Sequence, residues 1–196
     1  MTLVLASASH TRSAMLQAAG VNFVAHPVRI DETAIKQSLL AEGAGSHDIA
    51  DTLAEYKARR ASTAMASGRV LGCDQVLDLK GRVFDKPTSR EDAHQQLMDL
   101  SGQQHKLLSA AVLYEDGEPI WRVVGQARLS MHVLTGDEIA AYLDRAWPNV
   151  ATSVGAYQAE GLGAQLFSRI DGDWFSVLGL PLLQLLSFLR LRGWLQ

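Results

Sequence analysis

The stretch Arg69-Val70-Leu71-Gly72-Cys73-Asp74-Gln75-Val76-Leu77 decides the fold of this chain, and Phe84-Asp85-Lys86-Pro87 follows it closely. The apolar run, with turn signals around it, predicts a buried strand. Asp74 interrupts that run, so we expect a carboxylate at or near the end of a core strand. An unpaired buried carboxylate is very unfavourable, and Asp74 must therefore meet a cation, a metal or hydrogen-bond donors.

A turn at Asp78-Leu79-Lys80-Gly81 separates this strand from the second stretch. The two together predict a hairpin that carries Lys86 towards Asp74. Two interpretations have equal support from these residues alone. The pair either performs chemistry or forms a structural ion pair at the edge of a sheet.

The composition is that of an ordinary soluble globular protein and predicts a single domain over residues 1–196. The chain is 47% hydrophobic and 20% charged, with a net charge of −3. This balance gives no broad attraction to nucleic acid or to an anionic membrane, so we expect neither as a partner. The single cysteine excludes an internal disulfide and fits a reducing compartment, which favours the cytoplasm.

Neither end of the sequence resembles a membrane segment. The first residues lack a basic n-region and are too short for the apolar part of a signal peptide. Residues 178–195 are apolar but are interrupted by Gln184, Arg190 and Arg192, as in an amphipathic helix.

Helical and strand patterns alternate along the chain and predict an α/β protein. Expected strands cover residues 3–5, 105–114, 120–133 and 165–170, and expected helices cover residues 34–40, 49–66 and 90–100. Asp171-Gly172 predicts a hairpin, with residues 174–177 as its returning strand. The apolar side of the helix over 49–66 is expected to carry Ile49, Leu53, Tyr56 and Ala61.

Ser9 and Arg12 lie where the first strand gives way to a helix. Hydroxyl and N–H groups at a helix start can bind an anion, and an arginine can add a bidentate phosphate contact. Taken alone, however, the segment favours a helix capped by Ser9 with a solvated arginine.

Three further charged residues carry an ordinary interpretation beside a functional one. Glu32 opens a helix, where an acid commonly compensates the helix dipole. Lys57 belongs either to a solvated face or to the edge of a site, and periodicity does not decide between them. Glu160 lies in the glycine-rich residues 155–163, where the backbone can approach a ligand closely. The six histidines are scattered and show no metal-ligand spacing.

These clusters together contain the groups that phosphoanhydride hydrolysis needs. Cations offset phosphate charge, carboxylates hold Mg²⁺ and activate water, and a loop before a helix cradles phosphate.

In order and spacing, the motifs are similar to those of the Maf family of nucleoside triphosphate pyrophosphatases over essentially the whole chain. The matching elements are Leu5-Ala6-Ser7-Ala8-Ser9-His10-Thr11-Arg12, Ile30-Asp31-Glu32, Ala54-Glu55-Tyr56-Lys57-Ala58, Gly72-Cys73-Asp74-Gln75, Asp85-Lys86-Pro87, Leu100-Ser101-Gly102-Gln103-Gln104-His105, Gly155-Ala156-Tyr157 and Val177-Leu178-Gly179-Leu180-Pro181.

The resemblance implies a mixed sheet flanked by helices, with two lobes and a nucleotide cleft, as in the Maf and inosine-triphosphatase folds. It also implies cleavage of a triphosphate to a monophosphate and pyrophosphate, a divalent metal such as Mg²⁺ or Mn²⁺, and often a homodimer. By the same resemblance Asp74 accepts the proton of water and, with Glu32, binds the metal. The substrate contacts that it implies are Ser9, Arg12, Lys57 and Lys86.

Three positions bear on the nucleobase. Gln75 and Glu160 resemble the branch of the family that acts on 7-methyl-GTP, whereas the branch preferring thymidine and uridine nucleotides typically has Thr and Gln there. Thr11 stands where the 7-methyl-GTP branch typically has a bulky aromatic residue.

We therefore predict a pyrophosphatase with a house-cleaning role on modified nucleotides such as 7-methyl-GTP. The alternatives are a dTTP/UTP pyrophosphatase of the same family, a phosphohydrolase acting at the γ-phosphate, and a nucleotide-binding regulator of division or septum formation.

Overall fold

The computed structural model describes residues 2–65 and 67–195, and the elements below belong to those ranges. The strands are β1 (Leu3–Leu5), β2 (Phe23–Ala25), β3 (Arg69–Leu79), β4 (Arg82–Phe84), β5 (Gln104–Glu115), β6 (Glu118–Met131) and β7 (Phe167–Gly172). The α-helices are α1 (His10–Ala18), α2 (Glu32–Ala41), α3 (Ser46–Thr63), α4 (Arg90–Leu100), α5 (Gly136–Ala146), α6 (Trp174–Val177) and α7 (Leu182–Leu191). Short 3-10 helices cover Asn149–Thr152, Val154–Ala156 and Leu162–Leu166.

The strands form one mixed sheet in the order β2-β1-β3-β5-β6-β7, with β4 paired to β3. β1 runs parallel to β2 and β3, and the other pairs are antiparallel. The predicted α/β class, a mixed sheet flanked by helices, is confirmed. The predicted hairpin between β3 and β4 is also present, and its turn places both Lys80 and Gly81 at positive φ.

β3 carries a gap along one of its edges. β1 pairs with β3 up to the Leu5–Leu71 register, and β4 begins to pair at Leu77–Phe84. Between them, residues 72–76 of β3 have a strand neighbour only on the β5 side among the described elements. Asp74 lies in this notch, in the middle of an 11-residue strand rather than near its end as predicted.

The helices pack on the two faces of the sheet. α3 covers one face and buries Ile49, Leu53 and its alanines against β3 and β5. On the opposite face, α1 and α7 cover one end of the strands and α4 and α5 cover the other. The side chains of β3 alternate between these layers, because successive residues of a strand point to opposite faces.

Two local predictions are wrong and one reaches beyond the described chain. Tyr56 is 39% exposed, with Arg59 stacked on its ring, instead of lying on the apolar side of α3. Residues 174–177 form the helix α6 instead of a returning strand, because the Asp173 carboxylate accepts the Ser176 N–H and caps a helix there. The structure ends α3 at Thr63, and the predicted end at Ala66 lies outside the described residues.

Among the described residues, no helix combines the length and the apolar character that crossing a membrane requires.

A buried polar pair supports the wall of the sheet near its centre. His105 of β5 is 1% exposed, and its Nε2 lies 2.7 Å from the hydroxyl of Tyr157. Its Nδ1 has no hydrogen-bond partner within residues 2–65 and 67–195. Burial favours the neutral imidazole and lowers the pKa of His105 from 6.5 to about 4.

Because His105 is buried as a neutral imidazole, we expect the free energy of unfolding to fall as the pH is lowered. The unfolded chain takes up a proton at His105 near pH 6.5, but the folded chain does so only near pH 4. The contribution of His105 is therefore complete above pH 6.5 and is lost as the pH falls towards 4, by roughly 3 kcal/mol in the free energy of unfolding. We expect His105→Gln to flatten this part of the pH profile, measured by denaturant unfolding from pH 7 to 4. The exposed-imidazole control His26→Gln should keep the native slope, and equal slopes for native protein and His105→Gln would contradict the prediction.

Candidate active site

A cleft of about 450 Å³ opens along the notch in β3, within the range of roughly 300–1,000 Å³ common for small-molecule sites. All nine residues predicted for the site line it: Ser9, Thr11, Arg12, Glu32, Lys57, Asp74, Gln75, Lys86 and Glu160. They come from α1, α2, α3, β3, the segment after β4 and the loop before β7. The structure therefore places them together, whereas their chemical roles stay predictions.

An ion cluster of three side chains lies at the centre of the cleft. The Lys57 ammonium nitrogen lies 2.6 Å from Asp74 Oδ1 and 2.9 Å from Glu32 Oε1. The side chains of Lys57 and Asp74 are only 11% and 10% exposed, whereas that of Glu32 is 45% exposed. Lys57 therefore points into the site, and it is Lys57, not Lys86, that forms the ion pair with Asp74.

The cluster favours the charged forms of Glu32 and Lys57. Burial opposes ionisation of Glu32, but Lys57 beside it outweighs burial and lowers the pKa of Glu32. Burial likewise opposes the Lys57 ammonium, but Asp74 and Glu32 outweigh burial and raise the pKa of Lys57. One ammonium thus contacts a carboxylate of β3 and a carboxylate of α2 at the same time.

Gly72 sets the distance between α3 and β3 at this point. A Cβ at Gly72 would overlap the carbonyl oxygen of Ala54 and lie 2.5 Å from the backbone nitrogen of Ala58. Both atoms belong to α3, one turn apart on either side of Lys57. Only glycine at this position lets the helix lie close enough for Lys57 to reach Asp74.

Arg12 fills the space beside the notch. Its Nε donates to the Gly179 carbonyl at 2.7 Å, and its NH1 donates to Ser7 Oγ at 3.2 Å and to the Cys73 carbonyl at 3.3 Å. The expected helix cap by Ser9 is present, since the Ser9 hydroxyl accepts a hydrogen bond from the backbone N–H of Arg12 at 3.3 Å. The alternative of a solvated arginine is wrong, because the guanidinium satisfies a carbonyl of β3 that no neighbouring strand reaches.

Gln75 points to the opposite face of β3 from Asp74. Its amide nitrogen donates to Ser109 Oγ at 2.9 Å and to the carbonyls of Ser176 and Val177 at 3.2 and 3.0 Å. Val177 and Leu178 line the cleft. Gln75 therefore fixes α6 as one wall of the cleft, in addition to lining the cleft itself.

Thr11 and Glu160, two of the predicted specificity residues, touch each other. Thr11 Oγ1 donates to Glu160 Oε1 at 3.3 Å and joins α1 to the loop that precedes β7. A carboxylate in a glycine-rich loop could also accept N–H groups of its own loop. The contact that the structure gives the Glu160 carboxylate is with Thr11 instead, so the acid faces the cleft.

Lys86 is exposed and lines the cleft, where its charge contributes to the lowered pKa of Glu32. Sequence reasoning missed several other lining residues: Thr33, Lys36, Asp85, Thr88, Ser153 and Gln158. Lys36 carried a usable signal, because it follows Glu32 by four positions and therefore shares its helix face. The polar residues around 153 and 158 carried none, since irregular segments give no periodicity.

The chain is similar to known proteins over nearly its whole length. The family model for Maf-like proteins matches residues 2–192. A nucleoside triphosphate pyrophosphatase 1 from Jannaschia sp. is 62% identical over 191 residues, which cover 97% of this chain and 96% of that protein. A 7-methyl-GTP pyrophosphatase from Rhizobium etli is 46% identical over 191 residues, with the same two coverages of 97% and 96%.

Among solved structures, a nucleoside-triphosphatase / dITP/XTP pyrophosphatase from Mycobacterium abscessus aligns with 98% of this chain and 95% of that one. The TM-score is 0.46 and the identity is 17%, a likeness too low to bear on the site.

The close approach of α3 at Gly72 predicts a stability effect. Gly72→Ala should lower the free energy of unfolding by about 1–3 kcal/mol, because the added methyl meets backbone atoms that cannot rotate away. The matched control is Gly136→Ala in the first turn of α5, where the nearest atom to a new Cβ is 3.9 Å away. That change should be neutral or stabilising by up to about 1 kcal/mol. Denaturant midpoints measure both, and equal midpoints for the two variants would refute the packing argument.

Proposed function

Because the chain belongs to the Maf-like protein family, we propose that it hydrolyses a nucleoside triphosphate to a nucleoside monophosphate and pyrophosphate. The observation that carries the proposal is the cluster of Asp74, Lys57 and Glu32 at the centre of a cleft lined by further cations. The relatives named as nucleoside triphosphate pyrophosphatases support the choice of reaction.

Asp74 is proposed as the general base. Water attacks the α-phosphorus, its proton passes to the Asp74 carboxylate, and the bond from that phosphorus to the oxygen bridging to the β-phosphate breaks. Pyrophosphate leaves with that oxygen. One oxygen of Asp74 contacts Lys57, and a carboxylate has a second oxygen that can accept the proton. Lys57 orients the carboxylate through its contact with Oδ1.

The donor set fits a divalent metal such as Mg²⁺ or Mn²⁺. Mg²⁺ is usually held by one or two carboxylates together with substrate phosphates and waters, so Glu32 and Asp74 suffice as protein ligands. Within the described residues there is no cluster of three or more His, Cys, Asp or Glu side chains suited to a metal, which agrees with a site completed by substrate.

The charge of the cleft also supports a metal. Its cations are Arg12, Lys36, Lys57 and Lys86, and its acids are Glu32, Asp74, Asp85 and Glu160. The two sets balance, so the cleft itself supplies no surplus of positive charge for a triphosphate. A bound divalent cation would supply that charge and polarise the phosphoryl oxygens.

Ser9, Arg12, Lys57 and Lys86 are proposed to position the phosphates. Arg12 has a second role, because three protein oxygens hold its guanidinium and it joins α1 to β3 and to the segment before α7. Loss of Arg12 is therefore expected to affect folding as well as turnover, and Lys86 is the cleaner probe of phosphate binding.

The nucleobase is proposed to lie beside Thr11 and Glu160. A carboxylate accepts hydrogen bonds and donates none, which suits the N1–H and exocyclic amine of guanine. Methylation at N7 adds positive charge that a nearby carboxylate favours. The relative named as a 7-methyl-GTP pyrophosphatase supports this choice. In the structure the Thr11 hydroxyl occupies one oxygen of Glu160, and it provides a small polar wall instead of an aromatic one.

Further features of the proposal rest on the family resemblance and on composition. We place the enzyme in the cytoplasm, as a single domain over residues 1–196 that forms a homodimer, with a house-cleaning role on modified nucleotides.

Product analysis with and without the proposed base tests the function. Native protein incubated with Mg²⁺ and a nucleoside triphosphate should release pyrophosphate and monophosphate in equal amounts. Asp74→Asn keeps the shape of the side chain but loses the proton acceptor, so the rate should fall roughly 10²–10⁴-fold. Asp116→Asn, which changes an acid outside the cleft, is the control and should retain the native rate.

Other outcomes would replace the proposal. Release of orthophosphate and a nucleoside diphosphate, without pyrophosphate, would indicate a phosphohydrolase acting at the γ-phosphate. Binding of nucleotide without any product would indicate a regulator, such as one of division or septum formation. Near-native turnover by a folded Asp74→Asn protein would remove Asp74 from the role of base.

The position of Glu160 also predicts which nucleobase is preferred. Among 7-methyl-GTP, GTP, UTP and TTP, we expect the highest kcat/KM for 7-methyl-GTP. Glu160→Gln should reduce its margin over UTP by about tenfold, because the neutral amide loses the charge interaction with the methylated ring. Competition assays on native protein and the variant measure the ratio. A native preference for TTP or UTP, or a ratio that Glu160→Gln leaves unchanged, would exclude this role and favour the dTTP/UTP branch.

A further inference from the structure

Lys36 is a cation in the cleft that neither the family motifs nor the sequence assigned. It lies on α2, one turn after Glu32, and its side chain is only 14% exposed. Its ammonium pairs with the carboxylate of Asp85, in the segment after β4, whose side chain is 74% exposed. Both residues line the cleft, so this ion pair connects α2 to the β4 side across it.

This ion pair is expected to contribute little to the stability of the fold. An ion pair with a well-solvated partner contributes only about 0–1 kcal/mol to stability, because water competes for the exposed carboxylate. α2 has no fully buried residue among its ten, all of which are described, and it packs on α3 mainly through partly buried Ile35 and Leu39. A lysine that is mostly removed from water and held by one exposed acid is better explained by a ligand than by stability.

Two other cations of the cleft, Arg12 and Lys57, already have several protein partners. Three protein oxygens hold the Arg12 guanidinium, and Lys57 is shared between Asp74 and Glu32. Lys36 has three N–H donors and meets one exposed carboxylate. If Lys36 leaves Asp85 for a phosphate, little of the protein is disturbed. If Arg12 or Lys57 left its protein partners, the notch itself would be disturbed.

The position along the substrate follows from the neighbours of Lys36. In the proposed function, Asp74 lies at the anhydride bond that is cleaved, and Thr11 and Glu160 lie beside the nucleobase. Lys36 lies one turn after Glu32 on α2, its partner Asp85 directly precedes Lys86, and both lysines line the cleft. These two lysines are therefore left for the phosphates beyond the cleaved bond.

We infer that Lys36 is a further substrate-binding residue, whose ammonium moves from Asp85 to the β- and γ-phosphates that leave as pyrophosphate. The inference rests on the proposed function. Asp85 is then the counter-ion that holds Lys36 in the cleft when no substrate is bound, and it competes with the phosphates for it.

Calorimetric titration with inorganic pyrophosphate and Mg²⁺ tests this assignment. Lys36→Gln should weaken pyrophosphate binding about 10- to 100-fold, because a hydrogen bond to a charged group is lost. Asp85→Asn should tighten it a few-fold, since a competing acid is removed. Guanosine monophosphate should bind Lys36→Gln as it binds the native protein, because it lacks the distal phosphates. Lys106→Gln removes the same charge from an exposed site on β5 outside the cleft and should leave both affinities unchanged.

Lys36→Gln is expected to weaken pyrophosphate binding and Asp85→Asn to strengthen it. These opposite changes distinguish a binding role of the pair from a structural one. Equal losses of pyrophosphate affinity in the two variants, or failure of Lys36→Gln to fold, would show that the pair fastens α2 and would overturn the inference. Native affinity in Lys36→Gln would also overturn it, while pyrophosphate release by the native protein would leave the proposed function standing. A native protein that neither releases nor binds pyrophosphate would overturn both.

Discussion

The contact between Lys57 and Asp74, at 2.6 Å, is the interaction on which the site depends. A carboxylate in the middle of a core strand would be very unfavourable without a cation. The cation comes from α3, and it can reach Asp74 only because Gly72 lets the helix lie against the strand. Glu32 then binds the same ammonium from α2. One strand, two helices and one glycine are thus fixed relative to one another by the need to satisfy a single buried charge.

The gap in the sheet gives this charge access to a ligand. If β1 and β4 met along β3, the notch would be closed by backbone hydrogen bonds and a strand would lie beside Asp74 in place of the cleft. Instead both neighbours are short, and Asp74 and Gln75 line the cleft. The exposed edge still needs hydrogen-bond partners, and Arg12 supplies one at the Cys73 carbonyl. Arg12 therefore replaces part of a missing strand, which explains why a predicted phosphate ligand is also tied into the fold.

The sequence predicted the class of fold and the members of the cleft better than their contacts. Strands and capped helices follow from local patterns, and β3, α2 and α4 lie close to their predicted positions. Local patterns do not specify which cation meets Asp74, because Lys57 and Lys86 are both near in sequence. The contact between Thr11 and Glu160 joins residues 149 positions apart, so no short-range signal could reveal it. The strand predicted over residues 174–177 failed because one capping acid, Asp173, outweighed the β-prone side chains that follow it.

The ion cluster itself conflicts with what stability alone would select. Replacing a buried ion pair by well-packed apolar residues is often neutral or stabilising, because desolvation of the charges opposes their attraction. An apolar pair at positions 57 and 74 would also remove the need for Gly72 and for the unpaired edge of β3. The chain instead maintains charges, a close helix approach and an open edge at one place. Departures of this kind from a consistent fold are expected at functional sites. Together they support the view that the notch serves a charged ligand and not the stability of the sheet.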